Sequence, residues 1–150
     1  METTANKNTA TLLQLSALTQ YFFPLGNFIF PALIWSLKKD DSKFVDYNGK
    51  QAVNFQLSLF LYSFLLIIIA ASVFLYMLFS GMSASVKENG EWILEQLSLG
   101  NITWLVMTAV ISCTLLAGLK IAEFLLILYA SVKNSNGELY NFPITIKFIK

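Results

Sequence analysis

Three stretches of the chain, at about 12–37, 52–80 and 102–132, are dominated by apolar residues, and polar or charged segments separate them. Each is long enough to cover the roughly 20 residues that a helix needs to cross a bilayer. The pattern therefore predicts an all-α integral membrane protein with three long hydrophobic helices. The second stretch is the cleanest, with FLYSFLLIIIAASVFLYMLF at its centre, and its excess length predicts a tilt or a projection beyond the bilayer. The first is interrupted by PLGNFIFP, in which Pro24, Gly26, Asn27 and Pro31 break the helical pattern. Proline removes a helical hydrogen bond and glycine loosens the backbone. Two readings follow and both stay open: a single kinked span, or a re-entrant or two-helix hairpin.

The segments between the runs complete a single polytopic membrane domain over 1–150. Residues 1–11 lack the charged, apolar and small-residue pattern of a cleaved leader and are expected to be retained and flexible. In the first connection, KKDDSKFVDYNGKQ, Asp46 reads as a helix cap beside Tyr47, Asn48 and Gly49. The second, near 80–100, is an acidic external loop in which Trp92, Ile93 and Leu97 could seat a short interfacial helix; Trp104 then anchors the third span. In the tail, 133–150, Ile144, Ile146 and Phe148 alternate with Thr145 and Lys147, which fits a strand or a surface-lying segment. Lys38, Lys39, Lys43 and Lys50 in the first connection and Lys133, Lys147 and Lys150 in the tail outweigh the single Lys87 of the acidic loop. The positive-inside rule then places the first connection and the C-terminus in the cytoplasm.

Composition sharpens this picture. Of the 150 residues 56% are hydrophobic and the mean hydropathy is +0.62, above the roughly 45–50% apolar content of soluble domains. The net charge of +1 gives no electrostatic case for a nucleic-acid partner. The chain has no histidine, and no grouping of Cys, Asp and Glu has ligand spacing. No nucleophile elbow or phosphate-cradling glycine motif is present. These observations argue against an enzyme, a metal site or a cofactor. Cys113, the sole cysteine, reads as a small core residue.

Charge inside an apolar run is the feature that asks for an explanation. Lys120 and Glu123, in AGLKIAEF, are one helical turn apart and share a face. Each would cost about 2.5–3.5 kcal/mol in isolation at the centre of a membrane, so the pair is expected to face protein or water. An ion pair that fixes packing, a contact with another membrane subunit and an ion pathway are the readings to weigh. Gln51, Asn54, Ser58 and Tyr62 form a polar row on one face of the second span. They can bond a neighbouring helix, and from the preceding span they could solvate the Lys120–Glu123 pair.

Two blocks carry a family resemblance: FVDYNGKQAVNF, with Phe44, Asp46, Asn48, Gln51, Asn54 and Phe55, and NGELYNFP, with Gly137, Tyr140 and Pro143. With the apolar spans between them they resemble a bacterial domain-of-unknown-function family related to the Tic-twenty-like proteins. The chloroplast members of that group belong to the inner-envelope import translocon and have four helices. Related sequences typically carry histidine where this chain has Asn48, which removes a titrating group there. The bacterial members have no agreed activity, so the resemblance implies a place in this group of membrane proteins, with protein transport the setting of its chloroplast members. Together the readings predict a non-enzymatic inner-membrane accessory or assembly subunit that binds a larger membrane complex, with translocation or secretion machinery as the expected partner. The alternative is a small homo-oligomeric transporter or channel for ions or small polar solutes.

Overall fold

The computed structural model describes residues 2–85 and 103–150. Four α-helices and one 3-10 helix occur among them, with no strand: α1 (Thr4–Ser16), a 3-10 helix (Ala17–Tyr21), α2 (Gly26–Lys38), α3 (Lys43–Ser85) and α4 (Thr103–Ser135). The acidic loop with Trp92, Ile93 and Leu97 lies outside the described residues, as does the side chain of Trp104. The chain divides into two compact units, Met1–Leu61 with Lys120–Lys150, and Tyr62–Leu119.

Among the described residues two helices, not three, are long and apolar enough to cross a membrane, over Lys43–Tyr76 and Met107–Ser135. Only 11% and 17% of their most apolar windows are covered by protein. The core helix of a soluble domain would be mostly covered, so this exposed apolar surface fits lipid. In the unit Tyr62–Leu119 the outward residues include Phe64, Ile68, Phe74, Ile111 and Leu115, while Val73 and Ser112 are buried. Cys113 is exposed, so the expected core role is corrected. The hydroxyls of Ser72 and Thr114 donate to Ile68 O and Val110 O of their own helices, 2.8 Å each. Such back-bonding satisfies a hydroxyl where no water is available.

The first hydrophobic region is the principal correction. It does not form one long helix but two of 13 residues each, about 20 Å long at 1.5 Å per residue. A bilayer core is about 30 Å thick; α2 falls short of it, whereas α1 continued by the five residues of the 3-10 helix, at about 2 Å each, comes close to it. The break falls just after Tyr21, where the exposed Phe22, Phe23, Pro24 and Leu25 form the tip. Leu25 takes a left-handed backbone, φ 63° and ψ 9°, at the residue before α2. Gly26 then opens α2 so close to Thr19 that an added Cβ would lie 2.5 Å from its Oγ1 and 2.8 Å from its carbonyl carbon. Pro31 sits buried inside α2 instead of ending it.

The pairing of these arms defines a hairpin. On α1, Thr11 and Ala10 meet Ser131 and Asn134 of α4, whereas Gln20 meets Glu123 further up the same helix. On α2, Asn27 meets Gln56 and Trp35 meets Asp46, so α2 descends along α3. Both open ends of the hairpin therefore lie level with the start of α3 and the end of α4.

The two termini are ordered more fully than the sequence suggests. Residues expected to be flexible form most of α1, whose N-cap Thr3 accepts from Asn6 N at 3.2 Å. At the other end α4 stops in a Schellman arrangement, in which Glu138 N donates to Lys133 O and Gly137 N to Asn134 O. Gly137 supplies the left-handed residue that this stop requires, at φ 82°.

Candidate functional site: a buried polar seam

Within the unit Met1–Leu61 with Lys120–Lys150, polar side chains are buried among apolar ones. Gln14, Asn48, Asn54, Gln56, Ser58, Glu123 and Asn134 are all at most 2% exposed. Each buried donor or acceptor without a partner costs about 1–3 kcal/mol, so their partners determine how the elements assemble.

Lys120 and Glu123 form the expected ion pair, Nζ to Oε2 at 2.8 Å. Glu123 is 1% exposed and Lys120 52%, so the acid is buried in protein and the lysine side chain only half so. The pair has a third member, Gln20, from the 3-10 helix. The Gln20 amide donates to Glu123 Oε1 at 2.8 Å, and Lys120 Nζ donates to Gln20 Oε1 at 3.1 Å. A closed triangle results, and the tip of the hairpin is fixed to the middle of α4. Counted from Ser135, Glu123 is about 18 Å and Lys120 about 22 Å along the helix.

The polar row on α3 does something other than solvate this pair. Asn54 Oδ1 accepts from Phe148 N at 3.1 Å and Ile149 N at 2.8 Å, and its amide donates to Ile149 O at 2.9 Å. Ser58 Oγ accepts from Ile146 N at 2.8 Å and donates back to Asn54 O at 2.7 Å. These side chains occupy the backbone N–H groups that a strand would need, so the alternating tail lies along α3 in irregular form. Gln51 is buried, and its Oε1 has no hydrogen-bond partner. Tyr62, the last of the row, falls in the other unit.

The two sequence blocks meet here. Asn48 donates to Phe44 O at 2.9 Å, and its Oδ1 accepts from Tyr140 N at 3.4 Å. Phe55 stacks on Phe142 with centroids 4.1 Å apart, and Tyr140 packs edge-on against both Phe142 and Tyr129. Burial, then the neighbouring Tyr129, pushes the Tyr140 phenol above its ordinary value of 10.0, which keeps it neutral. Pro143 precedes a turn at Ile144, whose backbone is left-handed at φ 53°.

Asp46 is not the cap of α3. It lies inside the first turn, where Lys50 Nζ reaches its Oδ2 at 2.7 Å and Trp35 Nε1 donates to its Oδ1 at 2.9 Å. Ser42 takes the capping role and accepts from Phe44 N at 3.0 Å. Gly49 lies under the Trp35 ring so closely that an added Cβ would be 2.3 Å from Cδ1. Asn27, expected only as a helix breaker, donates to Gln56 Oε1 at 2.8 Å.

Sequence reasoning passed over Gln14, Gln20, Trp35, Gln56 and Asn134. Their signal was present: Gln14 and Gln20 are isolated amides in an otherwise apolar stretch, and such groups call for partners. Gln14 Nε2 finds Asn48 O at 3.3 Å.

Two apolar, lipid-suited helices, a short hairpin and a seam of amides, most of them satisfied by one another or by backbone, define a helical membrane protein. The chain matches the magnetosome magnetite crystal formation protein family (MamF/MmsF) over residues 5–149. It belongs to that family. No curated protein and no solved structure matches it. The family match overturns the resemblance to Tic-twenty-like import components, and the protein-transport reading built on it loses its support. Of the motif residues that suggested that kinship, Asn48, Asn54 and Phe55 hold the tail on α3.

Proposed function

We propose that this protein is a non-enzymatic membrane subunit of the apparatus that forms magnetite crystals, and that it acts by packing against another membrane protein. The family supports the setting. The mode of action rests on one observation, the half-exposed Lys120 at mid-span of an apolar helix. Glu123 is consumed inside the chain by Gln20 and Lys120. Two of the three ammonium donors are taken by Glu123 and Gln20; the third is left over on a half-exposed side chain, where contact with hydrocarbon is costly, and a polar group on a neighbouring subunit would meet it.

The topology that accompanies this reading is a re-entrant hairpin and two spans. Its lysine-rich open end lies with both termini in the cytoplasm, by the positive-inside rule. The aromatic tip, with Phe22 91% exposed, dips into lipid.

The test is complementation in a magnetite-forming bacterium whose own family member is deleted, with crystal size measured by electron microscopy. The wild-type chain should restore the crystals, and Lys120→Met, at equal membrane abundance, should restore them poorly. Full restoration by Lys120→Met would overturn the packing role of the lysine. Ion flux through the purified protein in liposomes, lost in the same variant, would replace it with transport.

A further inference from the structure

A cavity of about 670 Å³ lies beside the first turns of α3 and under the returning tail, wholly within one compact unit. Lys43 and Lys50 line it from α3, and Lys147 and Lys150 from the tail. Its one acidic side chain, Asp46, is already engaged by Lys50 at 2.7 Å and by Trp35 at 2.9 Å. Lys43, Lys147 and Lys150 have no carboxylate partner among the described residues. Three lysines without a carboxylate partner thus line one space.

This lining is built into the fold. Lys147 sits between Ile146, held by Ser58, and Phe148, held by Asn54. Lys150 follows Ile149, which Asn54 holds through both its N–H and its carbonyl. The side chains of α3 therefore carry the tail lysines, about a hundred residues away in sequence, to the lysines of α3 itself.

Gln51 lines the same cavity, is 7% exposed, and leaves its Oε1 buried and unpartnered. An acceptor left without a partner in a residue that lines a basic cavity suits a ligand that carries both negative charge and a hydroxyl.

We propose that this cavity binds a phosphate group bearing a hydroxyl donor, as in a polyol phospholipid headgroup or hydrogen phosphate. The phosphate oxygens accept from Lys43, Lys147 and Lys150, and the hydroxyl donates to Gln51 Oε1. Metal cations are repelled by the same lysines, so iron is not the ligand. The position, on the polar first turns of a helix that is apolar further along, is where a headgroup lies.

The test uses the full chain purified in phosphate-free nonionic detergent, with binding read by native mass spectrometry and by thermal shift. The probes are phosphatidylglycerol, phosphatidylcholine and inorganic phosphate. Phosphatidylglycerol should be retained and should raise the melting temperature more than phosphatidylcholine. The triple variant Lys43→Gln, Lys147→Gln, Lys150→Gln should weaken this by about 10- to 100-fold. A control that removes equal charge elsewhere, Lys7→Gln, Lys38→Gln, Lys39→Gln, should change it little. Gln51→Leu should narrow the preference for the hydroxylated headgroup. A shift with phosphatidylglycerol alone assigns the ligand to lipid; a shift with inorganic phosphate as well shows that the free anion suffices. Equal retention of the two lipids with no phosphate shift, or equal weakening by the control, would overturn the proposal.

Discussion

Asn54→Leu is the sharpest probe of how the C-terminal tail is held. The amide makes three hydrogen bonds, two to N–H groups and one to a carbonyl, all on Phe148 and Ile149. At about 0.5–1.5 kcal/mol net for each, the set is worth roughly 2–4 kcal/mol, and the released groups recover part of that by reaching water. A local loss of about 2–3 kcal/mol remains, which is about a 30- to 150-fold shift in the opening equilibrium of the tail. Amide hydrogen exchange in detergent or nanodiscs reads this residue by residue. Phe148 and Ile149 should exchange faster by that factor, while the amides of α1 and α2 keep their protection. Ser58→Ala should release Ile146, whose N–H it holds. If exchange at 148 and 149 is unchanged in a folded Asn54→Leu protein, the docking role fails. If protection falls evenly across the unit, Asn54 supports the whole bundle and not the tail.

The charged triangle predicts an asymmetry: Lys120→Met strands a buried carboxylate and should cost up to about 3–5 kcal/mol, whereas Glu123→Gln leaves only a half-exposed lysine and should cost less. The double variant should recover much of the loss in a double-mutant cycle of thermal stability; no recovery would argue that the two side chains act separately. Gly49→Ala must displace the Trp35 ring and should destabilise by about 1–3 kcal/mol, seen in denaturant or thermal unfolding. Leu25→Gly should do the reverse and raise stability by about 1 kcal/mol, because the left-handed backbone at the tip penalises a side chain; an unchanged or lower melting temperature would refute that strain.

The two long helices were legible because exposure to lipid demands an unbroken apolar run, and 52–80 and 102–132 supply it. The hairpin was only one of two open readings. Pro24 and Gly26 mark a break, but proline alone does not decide between a kink and a reversal, and Pro31 shows that one can be absorbed within a helix. The direction was set by Leu25 in the left-handed region, a conformation that leucine does not advertise. Periodicity placed Lys120 and Glu123 on one face, yet their third partner, Gln20, comes from a distant segment that no local pattern can register. The same holds for Asn54 and Ser58, whose face was visible but whose partner was a tail with no helical period of its own.

The long-range contacts of the hairpin also set an order for biogenesis. Gln20 bonds Glu123, 103 residues later, and Asn134 reaches back 124 residues to Ala10. At a synthesis rate of about 5–20 residues per second, the first of these partners emerges roughly 5–20 s after the hairpin itself. During that interval the amide of Gln20 has no acid to bond, and burial in hydrocarbon is unfavourable. With the hairpin re-entrant as proposed, the nascent hairpin should wait at the water–lipid boundary until the last helix inserts. A ribosome stalled before that helix should then leave the N-terminal hairpin, Thr4–Lys38, outside the bilayer and open to proteases.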